Sequence, residues 1–217
     1  MIECPLARVC VDGGNTDWLD LLLRRRVLTF SFIRQLATEE ATFEGAVARA
    51  AATPLAAASY IVLGGAKPGE GALITRGRDG SRNATAHHQP MSGGGGGHEG
   101  ADAAASSPAD VMRLDAAAGR WYLLETNYDH DKPPDAHDDR RAVATRALAR
   151  HGRPADARRA QTALLAVLSD NGHCNATRGE RPVLNARTVY TAAVVAARPE
   201  GLSVVLRDPP AVDNCSE

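Results

Sequence analysis

Residues 59–77, SYIVLGGAKPGEGALITRG, hold two short runs of aliphatic and β-branched residues, Ser59–Gly65 and Gly71–Gly77. Between them lies Ala66-Lys67-Pro68-Gly69-Glu70. Proline fixes its own φ and glycine tolerates φ values closed to other residues, so this pentapeptide reverses the chain. Two strands joined so tightly must be antiparallel, because a parallel pair needs a crossover of a dozen or more residues.

The same signal recurs on the C-terminal side. DVMRLDAAAGRWYLLETNYD, residues 110–129, reads as two strands around the turn Asp115–Gly119. ARTVYTAAVVAA and GLSVVLRD form a last hairpin around Arg198-Pro199-Glu200-Gly201. Helical spacing appears in WLDLLLRRRVLTFSFIRQLAT, residues 18–38, where Trp18, Leu21, Leu22, Leu28, Phe32, Ile33 and Leu36 recur on shared faces. A second helix, TFEGAVARAAAT, takes Thr42 as its N-cap and ends at Pro54. Two more helices are predicted near Asp139–His151 and Ala155–Leu168. Strands in hairpins, with helices grouped before and between them, predict an α/β or α+β layered domain in preference to a doubly wound sheet.

The 217 residues suffice for one domain with a sizeable core. A balance of 25 basic to 26 acidic residues gives no electrostatic case for nucleic acid or an anionic membrane surface. No run of 18 apolar residues predicts a transmembrane helix, and the first fifteen residues are too short and too polar for a secretory signal. Cys4, Cys10, Cys174 and Cys215 fit no zinc spacing, and spacing alone does not separate structural, disulfide-bonded and incidental roles. Three Asn-x-Ser/Thr acceptors, at Asn83, Asn175 and Asn214, lean slightly towards a lumenal protein. Residues 81–109 carry five consecutive glycines and almost nothing to bury, so a disordered insertion is expected there. His87, His88 and His98 fall within it, without the rigid scaffold a metal site requires. The ordered chain is expected over about 13–80 and 110–210 of a single domain, residues 1–217.

Residues 125–141, ETNYDHDKPPDAHDDRR, join the strand-like Trp121–Thr126 to an alanine-rich helix. From residue types two readings stand. One is a solvated junction, with Pro133-Pro134 breaking regular structure and Asp138 or Asp139 capping the helix. The other is the wall of an active site. An asparagine at a strand end can aim its amide N–H at a developing oxyanion, and an arginine in the next helical turn can return a planar cation to the same pocket.

GRWYLLETNYDH, DDRR, PVLNARTVYTA and VVLRDPP, together with SYIVLGGAKPGEGALITRGRDG upstream, resemble the β-subunit of the acid ceramidase and N-acylethanolamine-hydrolysing acid amidase family. The resemblance runs from about Gly13 to Pro210, interrupted by the glycine-rich insertion. It implies a partial αββα N-terminal-nucleophile hydrolase fold, incomplete at the N-terminus, with an N-acyl lipid as substrate and no metal or cofactor. It also implies a lysosomal or secretory-pathway lumen. By position Asn127 matches the family's oxyanion-hole asparagine and Arg140 its active-site arginine, while Tyr128 and Asp129 fall in supporting places.

The family's nucleophile is a cysteine that self-cleavage leaves at the start of the β-subunit, followed closely by an arginine and an aspartate. Neither Cys4 nor Cys10 has that context. The expectation is therefore a chain that lacks the N-terminal part of the β-subunit and the α-subunit, and whose catalysis depends on them. The competing expectation is a non-catalytic scaffold that binds lipid or a partner.

Overall fold

The computed structural model describes residues 8–11, 26–78, 80, 109–126, 128–134, 138–170, 178–184, 188–198 and 201–207. The chain divides into two compact units, 1–123 and 124–217. The expected insertion lies outside the described residues except for Ala109, which packs against the core of the first unit. Three of the four cysteines, the three acceptor asparagines and the three histidines of that insertion also lie outside them.

In the first unit four antiparallel strands follow one another in the order β1-β2-β3-β4. They are β1 (Arg8–Val11), β2 (Ser59–Gly64), β3 (Gly71–Arg76) and β4 (Asp110–Arg113). The hairpin read from residues 59–77 is the β2–β3 pair, in register from Ser59↔Arg76 to Gly64↔Gly71. Its turn closes through Gly65 N–H to the Glu70 carbonyl at 2.9 Å, with Gly69 at φ 87°. The Glu70 carboxylate accepts from Lys67 N–H inside the turn at 2.9 Å.

Period-two alternation then places Ile61 and Leu63 of β2 beside Ile74 and Ala72 of β3. Two helices cover that face, α1 (Thr29–Glu39) and α2 (Phe43–Ala52). Phe32 and Leu36 of α1, with Phe43, Ala46, Val47 and Ala50 of α2, complete one buried cluster with them. Each pair stands four residues apart, the spacing that puts side chains on one helical face. Thr42 caps α2 by accepting from Gly45 N–H at 3.1 Å, as its sequence predicts. At the other end of α2 the Ala50 carbonyl, one of the last four that the helix itself leaves unbonded, accepts from Arg76 at 2.5 Å. Arg76 is fully buried at the end of β3.

Three expectations change. Of the helix predicted over 18–38, the described part is Thr29–Glu39, and residues 18–25 lie outside the described residues. Val27 is instead extended, in a parallel bridge with Leu55, where its carbonyl accepts from Ala56 N–H at 2.9 Å. Tertiary pairing overrides helical periodicity there. The second strand of the 110–129 hairpin does not form: pairing ends at the Asp115–Arg120 bridge, and Trp121–Thr126 joins no ladder. The boundary between the two units falls within this segment, after Leu123. Finally, β1 pairs with β2 from Arg8↔Val62 to Val11↔Ser59, a strand that four residues beside a proline did not announce.

The second unit contains α3 (Arg140–His151), α4 (Ala157–Val167) and the hairpin β5 (Tyr190–Val194) with β6 (Leu202–Leu206). Asp139 and Asp156 cap the two helices, accepting from Ala142 N–H at 2.9 Å and Arg159 N–H at 2.8 Å. Arg150 and His151 lie in the last turn of α3, where positive charge suits the helix dipole. Helix α4 packs against β5, whose Thr191 and Ala193 are buried. Tyr190, Val194, Leu202, Val204 and Leu206 of the hairpin are exposed.

Ile74 is fully buried at the centre of the helix–sheet cluster. We predict that Ile74→Ala destabilises the first unit by about 2–5 kcal/mol, read as a lower urea midpoint at unchanged slope. A midpoint shift worth less than about 1 kcal/mol would show that this cluster is not the unit's core.

Candidate active site at the start of helix α3

The first turn of α3 and the segment 125–130 hold each other. Two neighbouring arginines do different work there. Arg140 directs its Nε at Asp138 Oδ1, 2.8 Å away, but without hydrogen-bond alignment, so the contact is a charge pair and not a directed bond. Arg141 turns the other way. Its Nη1 donates to the His130 carbonyl at 3.0 Å, and its Nη2 donates to the Tyr128 carbonyl at 2.5 Å and to Glu125 Oε1 at 3.4 Å. The guanidinium plane lies over the Tyr128 ring, 4.0 Å from its centre. The Tyr128 hydroxyl donates to Asp139 Oδ1 at 2.8 Å, the same oxygen that caps the helix. Burial, with that hydrogen bond second, raises the phenol to about 12, so it remains a donor at any physiological pH.

Glu125 is the electrostatic anomaly of the cluster. Its side chain is 6% exposed, and burial pushes the carboxyl up to about 7. The Thr126 N–H on Oε1 and the charge of Arg141 oppose this but do not win, and Asp129 adds to it. Oε2 is buried and accepts no hydrogen bond, with His130 Nδ1 standing 3.9 Å away. A carboxyl in this setting is neutral in acid and ionised only near neutrality. Further along α3, Arg146 makes a two-pronged pair with the buried Glu180 at 2.9 and 2.7 Å. This fixes residues 178–180 beside the helix, where Asp139 N–H donates to the Gly179 carbonyl at 2.8 Å.

Of the residues singled out from the sequence, Arg140, Tyr128 and Asp129 fall within this cluster, and Tyr128 and Asp129 are buried. Asn127 lies outside the described residues, between Thr126 and Tyr128. Glu125 and Arg141 are the two that the sequence reading did not assign. Residue type and spacing cannot show which of two adjacent arginines faces a loop sixteen residues back. The available signal was an acidic residue inside an otherwise apolar strand-like run, since such a residue is rarely buried without a task. Among the described residues no group of His, Cys, Asp and Glu is placed to hold a metal, and no helix is long and apolar enough to cross a membrane.

A solved structure has the same architecture of helices and antiparallel sheets. The N-acylethanolamine-hydrolyzing acid amidase ortholog of Caenorhabditis elegans superposes with a TM-score of 0.58 at 26% identity, over 90% of this chain and 67% of that one. The fold is thus α+β, matching part of the N-terminal-nucleophile hydrolase fold. No family model matches the chain. It is 35% identical over 92% of its length to the N-acylethanolamine-hydrolyzing acid amidase of Oryctolagus cuniculus, covering 46% of that protein. It is 30% identical over 94% of its length to the acid ceramidase of Homo sapiens, covering 42% of it. The chain is therefore similar over most of its own length to acid ceramidase and N-acylethanolamine-hydrolysing acid amidase, and spans somewhat under half the length of these two relatives.

Glu125 yields a prediction with a definite sign. Its carboxyl is raised from 4.5 to about 7 on folding, so between these values the native state keeps a proton that the unfolded chain has lost. Stability is then greatest below the unfolded value, declines as pH rises from 4.5 towards 7, and levels above it. Glu125→Gln, which mimics the protonated form, should flatten that part of the melting-temperature profile. A profile with the same slope in wild type and variant would show that Glu125 is ionised throughout.

Proposed function

We propose that this chain forms one wall of the active site of an amidase that cleaves N-acyl lipid amides in an acidic compartment. The observation that carries this reading is the similarity, over more than nine-tenths of the chain, to two proteins whose names specify hydrolysis of N-acylethanolamine and of ceramide. Both substrates present a fatty-acyl amide, and both relatives are described as acid enzymes. A buried carboxyl that is neutral in acid accords with the same working range.

The chemistry divides among named groups. A cysteine thiolate attacks the acyl carbon, and negative charge moves to the carbonyl oxygen. Asn127 donates its side-chain amide N–H to that oxygen as the charge builds, which lowers the barrier more than it tightens substrate binding. Arg140, paired with Asp138, supplies a fixed planar cation to the network around the nucleophile. The nucleophile and its following Arg and Asp are supplied by polypeptide beyond the residues that match here, together with the α-subunit, in a lysosomal-type lumen.

A second reading has one observation in its favour. Tyr190, Leu206, Val204, Val194 and Leu202 occupy one face of the β5–β6 pair by register, and all are exposed. An apolar sheet face of this kind suits a partner-binding scaffold without catalysis.

A chimera separates the two. The residues of the rabbit amidase that this chain matches are replaced by the chain itself, and hydrolysis of an N-acylethanolamine and of a ceramide is measured in acid. We predict turnover by the chimera, and a fall in kcat of roughly 10²–10³-fold on Asn127→Ala with much less change in KM. Arg140→Lys should also impair turnover, because an ammonium does not reproduce a planar, multiply bonded guanidinium. Folded variants with near-normal kcat would return residues 125–141 to the status of a solvated junction. Hydrolysis by the 217-residue chain alone, abolished by Cys4→Ala or Cys10→Ala, would overturn an external nucleophile.

A further inference from the structure

We infer that the recess where α3 gives way to α4 is a binding site for a phosphate ester, held by Arg153 and Arg158. The inference stands on the second unit alone and does not depend on the amidase reading. Gly152, at φ 66°, turns the chain out of α3, and Asp156 then caps α4. This short connection leaves an open recess of about 640 Å³, whose lining includes His151, Arg153, Asp156, Arg158, Arg159 and Thr162. Its volume falls in the range of small-molecule sites, roughly 300–1,000 Å³. All six of these residues are exposed, so a ligand reaches them without movement of the chain.

The charges there are unbalanced in a way that folding does not require. Residues 150–159, RHGRPADARR, carry four arginines against one aspartate, in a chain whose net charge is −1. That aspartate is already engaged. Asp156 Oδ1 accepts from Arg159 N–H at 2.8 Å, and its Oδ2 stands 3.6 Å from Arg159 Nε. Arg140, Arg141 and Arg146, earlier in α3, each meet a carboxylate. Arg153 and Arg158 meet none among the described residues. The helix dipole accounts for His151, at the negative end of α3, but it opposes Arg158 and Arg159 in the first turn of α4. No acidic residue lies in that turn, so Arg158 sits in a repelling field. An anion in the recess reverses the sign of that balance.

Guanidinium groups select the class of anion. Each presents parallel N–H donors that match two oxygens of a tetrahedral phosphoryl group. A lone oxyanion would leave most of this recess empty. A phosphate ester also brings an organic group to the part of the lining formed by Pro154, Ala155 and Ala163. The ester is either a soluble one or the headgroup of a phospholipid, and the phosphoryl chemistry is the same in both. The near-balanced charge of the whole chain supplies no general attraction, so the recognition is local to the recess.

The test uses the whole 217-residue chain. Glycerol phosphate is the soluble probe, followed by calorimetry. Phosphatidylcholine vesicles with and without phosphatidic acid are the lipid probe, followed by co-sedimentation. Arg153→Gln and Arg158→Gln should each weaken binding about tenfold or more, the effect of losing a charge-assisted hydrogen bond. Arg198→Gln, at an exposed arginine between β5 and β6, should leave it within about twofold. The melting temperature separates binding from folding. Ligand-free Arg158→Gln should melt at or above wild type, because a cation leaves the positive end of a helix, while the rise that glycerol phosphate gives wild type should disappear. If Arg158→Gln melts lower instead, binding by Arg153→Gln decides. Recess-dependent binding of glycerol phosphate without retention on phosphatidic acid vesicles identifies a soluble ester. Recess-dependent retention on those vesicles, displaced by glycerol phosphate, identifies a headgroup. The inference is overturned if neither probe binds, if both recess variants bind as wild type does, or if Arg198→Gln weakens binding as much as they do.

Discussion

A half-buried guanidinium needs partners for most of its N–H groups to offset desolvation, and Arg141 finds them at both terminal nitrogens while its Nε has none. Around Arg141 that requirement organises the segment before α3. Two carbonyls from a stretch that joins no ladder, and so leaves its carbonyls without sheet partners, converge on one side chain. The central carbon of the cation lies over the Tyr128 ring, 4.0 Å from its centre. The loop supplies the acceptors that the arginine needs, and the arginine supplies the donors that an unpaired backbone needs.

The helix cap belongs to the same balance. Asp139 Oδ1 accepts from Ala142 N–H and from the Tyr128 hydroxyl, so the helix start and the loop share one oxygen. Arg146 and Glu180 repeat the device one turn further on, joining α3 to residues 178–180 through a charge pair that is largely buried on the acidic side. Polar contacts thus determine the conformation of the loops around α3, while its own burial rests on small residues, with Val143, Ala144, Ala147 and Leu148 inside. Small side chains give little apolar area to specify position, and directional bonds specify it instead.

Much of the fold was legible because its signals are local. The Pro68-Gly69 turn, the Thr42 cap and the cap offered by Asp138 or Asp139 depend on neighbours in sequence. What failed depended on distant partners. Val27 leaves its helical pattern because Leu55 pairs with it, and Trp121–Thr126 keeps strand composition without a strand to join. The site followed the same division. The Asn-Tyr-Asp and Asp-Asp-Arg-Arg pair marked the candidate region, and Arg140 was singled out by its place in the motif. That Arg141 and not Arg140 holds the loop depends on their directions from the helix, which adjacent positions about 100° apart on a helix make different but which spacing in sequence cannot rank.

Glu125 shows why this cluster suits an acidic medium better than a neutral one. Above neutrality its ionised carboxylate would be buried with one oxygen unbonded, a costly state that the Thr126 N–H on the other oxygen and the Arg141 charge at 3.4 Å offset only in part. In acid the carboxyl is neutral, and the desolvation penalty falls on the guanidinium alone. Carbonyl dipoles and a ring quadrupole then carry the cation, and neither titrates. The clamp therefore keeps its geometry through the acid range, while its weakest member, a half-satisfied carboxylate, arises only as pH approaches 7. A pair of equal and opposite charges at the same place would behave in the opposite way, with its carboxylate protonated and its attraction lost in acid. A neutral acid beside a carbonyl-held arginine avoids that loss.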